Sequence, residues 1–307
     1  MRISLCITVL NEERVVGRLL ESVLNQTRKA DEIIVVDGGS TDKTVEIIRR
    51  FQKKNKSLKL LCERGSVAHG RNTAIEIAKN QIIAQIDAGC VAKGDWLEKL
   101  TAPFFQKAVD LVAGFYEMKT KTSLQEAMCV FHGVPQARFD PESFLPSARS
   151  VAFRKQLWEE VGGYDEKLAK AGEDTLFFFK CVKTGARIVR VEQARVVWEE
   201  PAEFTLIVSL KKFFAYAKGD AQAGIWWHPT QQLASHNIRI SLIFLRYLMG
   251  IILIKYATIL LPAYLFWSIW KWRDVVIDWQ ARLWLPVVQV TSDLAVMSGF
   301  LWGLIKK

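Results

Sequence analysis

Ile3 to Val9, Ile33 to Val36, Leu58 to Cys62, Ile82 to Ile86 and Leu111 to Phe115 are apolar runs of strand length. Between them, Arg14 to Leu24, Thr41 to Phe51, Gly70 to Ala78 and Trp96 to Phe105 carry apolar residues at the spacing of one helix face. This alternation predicts an α/β fold with a mostly parallel sheet covered by helices on both sides. In such sheets, ligands sit at the carboxyl ends of the strands.

Past residue 120 the rhythm loosens. Pro135, Pro141 and Pro146 mark irregular connections, after which Ser150 to Phe153 predicts a strand, Lys155 to Val161 a short helix and Glu173 to Thr184 a longer one. From Phe204 the pattern changes again. Leu206, Ile207, Leu210, Phe213, Phe214 and Ala217 share one helical face opposite Lys211, Lys212 and Lys218, which fits a helix lying on a surface or an amphipathic core helix.

Between Ile238 and Trp272 the chain is apolar apart from a few residues such as Arg239, Arg246, Lys255 and Lys271. Tyr247 to Ile254 and Tyr256 to Trp270 are each shorter than the about 20 residues a membrane span needs. Two arrangements satisfy the pattern: one tilted span interrupted by Lys255, or a re-entrant hairpin with snorkelling basic residues. Leu283 to Lys307 predicts a further interfacial or buried helix closing on Lys306 and Lys307. The expected division is a catalytic domain over 1–220, with a nucleotide-binding half (1–115), an acceptor half (116–203) and an amphipathic interface helix (204–220), followed by a membrane-associated helical tail (221–307).

Composition sharpens the reading of the tail. The chain has a net charge of +10, and residues 237–307 hold 8 Lys/Arg against 3 Asp/Glu, a short apolar segment suited to an anionic membrane surface. Nine of the 11 tryptophans occur from Trp198 onward, with Trp267, Trp270 and Trp272 at the edge of the apolar block as in an aromatic belt. Apart from Arg49 to Lys59, which read as the solvated face of one helix and its turn, the basic residues are dispersed, and nucleic-acid binding is not expected. Five cysteines without CxxC spacing predict reduced thiols in a cytosolic compartment. Arg2 leads straight into a strand pattern, so no signal peptide is expected. His69, His132, His228 and His236 are scattered without metal-ligand spacing.

The chemistry lies at the strand ends. The first strand runs into Thr8, Val9, Leu10, Asn11, Glu12; the second into Asp37, Gly38, Gly39, Ser40, Thr41; the fourth ends on Asp87. Each stretch alone is turn-and-cap chemistry. Three parallel strands finishing in polar or acidic groups at one edge make a pocket.

"ITVLNEE", "IIVVDGGSTDKT", "GRNTAI", "IIAQIDAG", "VGGYDE" and "GEDTLF" occur in the order and spacing of the inverting family 2 glycosyltransferases, which this sequence resembles over roughly residues 1–220. The resemblance implies a GT-A fold, that of the nucleotide-diphospho-sugar transferases, acting on a nucleotide-diphosphate sugar, UDP-linked in most members. It implies that Asp37, beside Gly38, bonds the base, that the loop of Thr8, Leu10, Asn11 and Glu12 touches the nucleoside, and that Arg71 lies near the phosphates. Asp174 would be the base that deprotonates the acceptor, with Glu173 orienting it or taking its place. Gly162, Gly163 and Tyr164 would form the acceptor side, although the two glycines also fit a plain helix stop. Asp87 would begin a D-x-D motif holding Mg²⁺ or Mn²⁺ against the diphosphate.

Here that motif reads Asp87, Ala88, Gly89, so one carboxylate is left for the cation. The Q-x-x-R-W motif of processive synthases is also missing, which implies one sugar per encounter. The expected protein is a membrane-attached transferase, its catalytic domain facing the cytoplasm and its acceptor lipid-linked or membrane-presented. Two other readings stay open: a non-catalytic membrane scaffold of the same fold, and a sugar nucleotidyltransferase. The latter is disfavoured because the first strand leads into Leu10, Asn11 and Glu12 rather than a glycine-rich basic loop.

Overall fold

The computed structural model describes residues 1–106, 108–168, 171–199, 204–225 and 236–305, without the side chains of 236–239. Lys306, Lys307, His228 and the residues 169–170 inside the acceptor-side segment lie outside the described residues, as does the side chain of His236. The chain forms two compact units, residues 1–117 with 140–199 and residues 118–139 with 200–307. The helix predicted over 204–220 falls in the second unit, together with residues 118–139.

The first unit is built on eight strands: β1 (Ile3–Val9), β2 (Glu32–Asp37), β3 (Leu58–Cys62), β4 (Ile82–Gln85), β5 (Cys90–Ala92), β6 (Leu111–Lys119), β7 (Val151–Arg154) and β8 (Ile188–Glu199). They form one sheet in the order β3-β2-β1-β4-β7-β6-β8-β5. β3, β2, β1 and β4 are parallel, whereas β7 pairs antiparallel with β4 and β6, and β5 antiparallel with β8. The runs of β1, β2 and β4 are buried almost throughout, strands covered on both faces having no solvent side to alternate toward, whereas β3 is a partly exposed edge strand and the run Leu111 to Phe115 lies in the antiparallel β6. β5 and β8 were not foreseen: β5 has three residues, and β8 interleaves Arg190, Glu192, Gln193 and Arg195 among its apolar positions.

Six helices cover the sheet or its edges: α1 (Val16–Leu24), α2 (Thr44–Lys54), α3 (Val67–Glu76), α4 (Trp96–Thr101), α6 (Lys155–Glu160) and α7 (Glu173–Lys183). A 3-10 turn over Ala102–Phe105 follows α4, so the expected helix ends early, in a turn carrying Pro103. In α1, Val16, Leu19, Leu20 and Val23 are buried at the helical repeat. The start of α3 is capped by Ser66, whose hydroxyl accepts from the His69 N–H at 3.2 Å.

The second unit is helical: α5 (Ser123–His132), missed among the prolines, α8 (Leu206–Ala223), α9 (His236–Ile252), α10 (Ala257–Trp270) and α11 (Trp279–Ile305). α8 packs on α11 through Ala217 and Ala221, and Phe213 stacks on His132 of α5, while Ile207 near its start stays exposed. Gly299 and Gly303 of α11 lie against the backbone of α8 at Phe214 and Lys218, a close approach that any side chain would block. His132 of α5 is buried, bonded through Nε2 to the Ser209 hydroxyl at 2.6 Å and stacked on Phe213. α11 is long and apolar enough to cross a membrane, whereas 240–252 and 254–270 reach that length only together, as a pair bent by 80° at Leu253.

Candidate functional site

All the acids singled out from the sequence lie in the first unit. β1 and β2 are adjacent and end together, Val9 opposite Asp37. Their loops lock by hydrogen bonds: Asn11 N donates to Ser40 Oγ (2.8 Å), Thr41 N to Asn11 Oδ1 (2.8 Å), and Glu12 N to Thr44 Oγ1 (2.7 Å). Asn11 adopts φ 57°, a left-handed conformation that Asn tolerates better than most residues and that turns the chain across the edge. Leu10 is exposed and Thr8 half-buried. Thr8 and Val36 face Gly70, whose missing side chain lets α3 settle onto β1 and β2.

Asp37 is buried at the end of β2. Its Oδ2 accepts from the N–H groups of Gly39 (3.1 Å) and Ser40 (3.0 Å). Gly39 stands at φ 103°, which the tight turn requires. Oδ1, equally buried, has no hydrogen bond among the described residues. Glu32, also buried at the start of the same strand, differs: Ser4 Oγ (2.6 Å), Lys79 N (2.6 Å) and Lys59 Nζ (3.0 Å) all donate to its carboxylate. A buried acceptor left open is costly unless something else donates to it.

Two strands along from β2, β4 stops at Gln85, and Asp87 lies in the turn beyond, where its carbonyl accepts from Cys90 N at 3.0 Å. The Asp87 carboxylate accepts from Arg71 Nη2 at 2.9 Å. The other arm of this guanidinium, Nη1, meets Glu173 Oε1 at 2.5 Å. Arg71 and Glu173 are buried, and the Asp87 side chain is 31% exposed. Burial works against the Arg71 charge, but Asp87 and Glu173 outweigh it and hold the group firmly cationic. Burial and neighbouring Asp174 push the Glu173 carboxyl up, with Arg71 opposing them.

Asp174 follows Glu173 in the first turn of α7 and is half-buried, its Oδ1 accepting from Thr175 N at 2.8 Å. Gly172, at φ 90°, makes the left-handed step that starts the helix. Glu173 is therefore engaged with the arginine, while Asp174 is the more accessible acid.

Gly162 and Gly163 stop α6. Both have positive φ, and Gly163 N donates to Trp158 O at 2.9 Å. A Cβ on Gly163 would come within 2.9 Å of Asn72 Oδ1. Tyr164 is buried, its hydroxyl donating to Gln85 Oε1 at 2.5 Å and its ring stacked on Phe177 at 4.3 Å. Asn72 holds this loop at both ends of its amide, accepting from Tyr164 N (2.9 Å) and donating to Tyr164 O (2.9 Å) and Glu166 Oε1 (2.8 Å). His69 adds a bridge between Glu63 (2.8 Å) and Glu166 (3.0 Å). Asn72 and Gln85 were not singled out from sequence, although Asn72 directly follows Arg71 in "GRNTAI".

Among the described residues no three His, Cys, Asp or Glu side chains cluster as a metal-ligand set. One partly exposed carboxylate, Asp87, fits a hard divalent cation when phosphate oxygens and water supply the remaining ligands. None of the five cysteines is paired, and Cys6, Cys90 and Cys181 are buried.

The sheet order, with a parallel half flanked by antiparallel strands, is that of a GT-A-like fold. The family Glycosyl transferase family 2 matches residues 4–157, and the chain belongs to it. Among curated proteins it is similar to glycosyltransferase AglE of Haloferax volcanii, 31% identical over 187 residues that make up 56% of this chain and 58% of that protein. It is also similar to glycosyltransferase GlyG of Streptococcus pneumoniae, 31% identical over 116 residues, 37% of this chain and 38% of that protein. The chain thus spans about half the length of these relatives. Among solved structures it resembles the mannosyltransferase PcManGT of Pyrobaculum calidifontis, in complex with GDP-Man and Mn²⁺, with a TM-score of 0.69 and 18% identity over 98% of this chain and 87% of that one. This likeness shows the fold.

Proposed function

We propose that the chain transfers a sugar, with inversion, from a nucleotide-diphosphate sugar, UDP-linked, to a hydroxyl of a lipid-linked or membrane-presented acceptor. The observation that carries the reading is the Arg71 clamp: one guanidinium joins the strand-end Asp87 to Glu173 and so sets Asp174 beside the carboxyl edge of the parallel strands. Asp174 takes the proton of the acceptor hydroxyl. The freed oxygen pair forms the new bond to the anomeric carbon from the face opposite the diphosphate, and the electrons of the breaking C–O bond leave with the nucleoside diphosphate.

Asp37 Oδ1 is a buried acceptor with room in its bonding for one more donor, as an imide N–H of uracil would supply. Leu10, Asn11 and Glu12 form the nucleoside loop beside it. Asp87 would hold Mg²⁺ or Mn²⁺, which when bound offsets charge on the diphosphate. Gly162, Gly163 and Tyr164 shape the acceptor side by position, since Tyr164 itself is tied to Gln85.

The membrane part rests on the second unit. Leu248, Ile251, Ile252, Ile254, Ile259 and Leu261 are all more than half exposed, a contiguous apolar stretch that water does not favour. We place the catalytic unit on the cytoplasmic side, with the tail moored in the bilayer.

The test is a thermal-shift screen of nucleotide sugars against the purified full chain in detergent, with and without Mn²⁺. A donor that binds only the folded state raises the melting point. A UDP-sugar that raises it and is slowly hydrolysed to UDP supports the reading; no shift with any donor in either condition overturns it in favour of a non-catalytic scaffold.

A further inference from the structure

The Arg71 guanidinium is engaged by the clamp. Its two terminal nitrogens are committed to Asp87 and Glu173, and it is 5% exposed. With Gly89 in place of a second acid, the site is also short of the metal ligand that would help gather charge around a diphosphate. What stands at Gly89 is an indole. A Cβ on Gly89 would lie 3.4 Å from Trp198 Nε1 and 3.5 Å from its Cδ1, so the path a longer side chain would take runs along the edge of Trp198.

That indole carries a cation. The Arg149 guanidinium, in the loop ahead of β7, lies 3.9 Å over the Trp198 ring and 4.9 Å over that of Tyr116, and its Nη1 donates to Ser147 Oγ at 3.0 Å. Tyr116 and Trp198 meet edge to face at 6.3 Å and make a two-walled aromatic seat. Trp198 is paired with Cys90 across β5 and β8, and Glu199 N donates to Gly89 O at 3.0 Å, so the seat is fastened to the turn that holds Asp87. Burial pushes the Tyr116 hydroxyl up, and the charges of Arg149 and Asp174 also reach it. A stacked guanidinium has few rotamers left to lose and presents its edge in a fork that matches phosphate oxygens.

We propose that Arg149 is a ligand of the donor's diphosphate, supplying from the Trp198–Tyr116 seat positive charge that the chain does not gather through a second acid at position 89. The proposal rests on the glycosyltransferase reading of the same site.

The experiment measures binding of UDP, GDP and the corresponding nucleosides to the full chain in detergent by calorimetry, with Mn²⁺ and with EDTA. The variants are Arg149→Gln and Arg149→Lys, with the melting point of each as a fold control. Arg149→Gln should weaken the nucleoside diphosphate that the unmodified chain binds by about tenfold or more, while leaving the nucleoside within about twofold. Arg149→Lys should recover part of the loss, and the effect should be larger in EDTA. Diphosphate affinity unchanged in Arg149→Gln, including the case where only acceptor use suffers, overturns the proposal. Equal loss of diphosphate and nucleoside overturns it too. If the unmodified chain binds neither UDP nor GDP, the glycosyltransferase reading itself falls and takes the proposal with it.

Discussion

Arg71 and Glu173, 102 residues apart in the chain, meet in a buried ion pair of 2.5 Å. The pair fixes the first turn of α7 against α3 and so decides where the neighbouring Asp174 stands. Its two carboxylates have different surroundings: Glu173 is buried against a cation, and Asp174 is accessible.

This division of roles predicts opposite results for two conservative changes. Asp174→Asn keeps the shape and the donor site, so donor binding should persist while transfer falls by about 10²- to 10⁴-fold. Glu173→Gln removes a buried partner of Arg71, for which losses of about 3–5 kcal/mol are typical. Paired measurement of donor affinity, transfer rate and melting point separates the two. Transfer near the original rate in Asp174→Asn removes Asp174 as the base, and an unchanged melting point in Glu173→Gln removes the clamp.

Asp87 serves both Arg71 and the proposed cation. Asp87→Asn should therefore shift the Mn²⁺ dependence of donor binding to higher metal concentration and leave Asp37 and the nucleoside loop as they are. Titrating Mn²⁺ at fixed donor, with nucleoside binding as the control, reads this out. An unchanged metal titration contradicts the role of Asp87.

His69 is the site's pH-sensitive contact. Both ring nitrogens face carboxylate oxygens, which only accept, so both bonds exist together only when the ring carries two protons. The bonds to Glu63 and Glu166 raise its pKa above the ordinary histidine value. A group whose folded pKa is raised contributes stability that is fully present below its unfolded pKa, about 6.5, and lost as pH rises through the folded value. The melting-point difference between the unmodified chain and His69→Gln should be largest at acid pH and shrink on the alkaline side. A difference that is constant or grows with pH would show that the bridge does not titrate as described.

The parallel half of the sheet was the most legible part, because β1, β2 and β4 are buried on both faces and the edge strand β3 is still mostly apolar. The bounds of β1 and β3 coincide with their apolar runs. β8 escaped notice for the opposite reason. It is half-buried, and its charged residues look like a solvated loop until their partners are known, as with Arg195, which bonds Glu117 and Glu192.

The acids of the site were legible one by one, from turn chemistry and from motif order. The Arg71–Glu173 pair was not, since two residues that far apart leave no periodicity between them. Arg149 shows the same limit. Ahead of a strand it reads as an ordinary surface cation, and only the meeting of β6 with β8 gives it an aromatic seat.

The second unit offers a prediction independent of catalysis. Gly303 lies where a Cβ would come 2.6 Å from Lys218 O and 2.8 Å from Ala221 Cβ, and Gly299 is closer still to the Phe214 carbonyl. The atoms in the way are mostly backbone of α8, which cannot rotate aside as a side chain can, so α8 and α11 would have to separate. Gly250 in α9 is the natural control, since nothing lies within 4 Å of the corresponding position. Gly303→Val should lower stability by about 1–3 kcal/mol through overpacking. Gly250→Ala should be neutral or gain up to about 1 kcal/mol from helix propensity alone. Thermal unfolding in detergent distinguishes them, and equal melting points for Gly303→Val and the unmodified chain would mean that the two helices do not approach this closely.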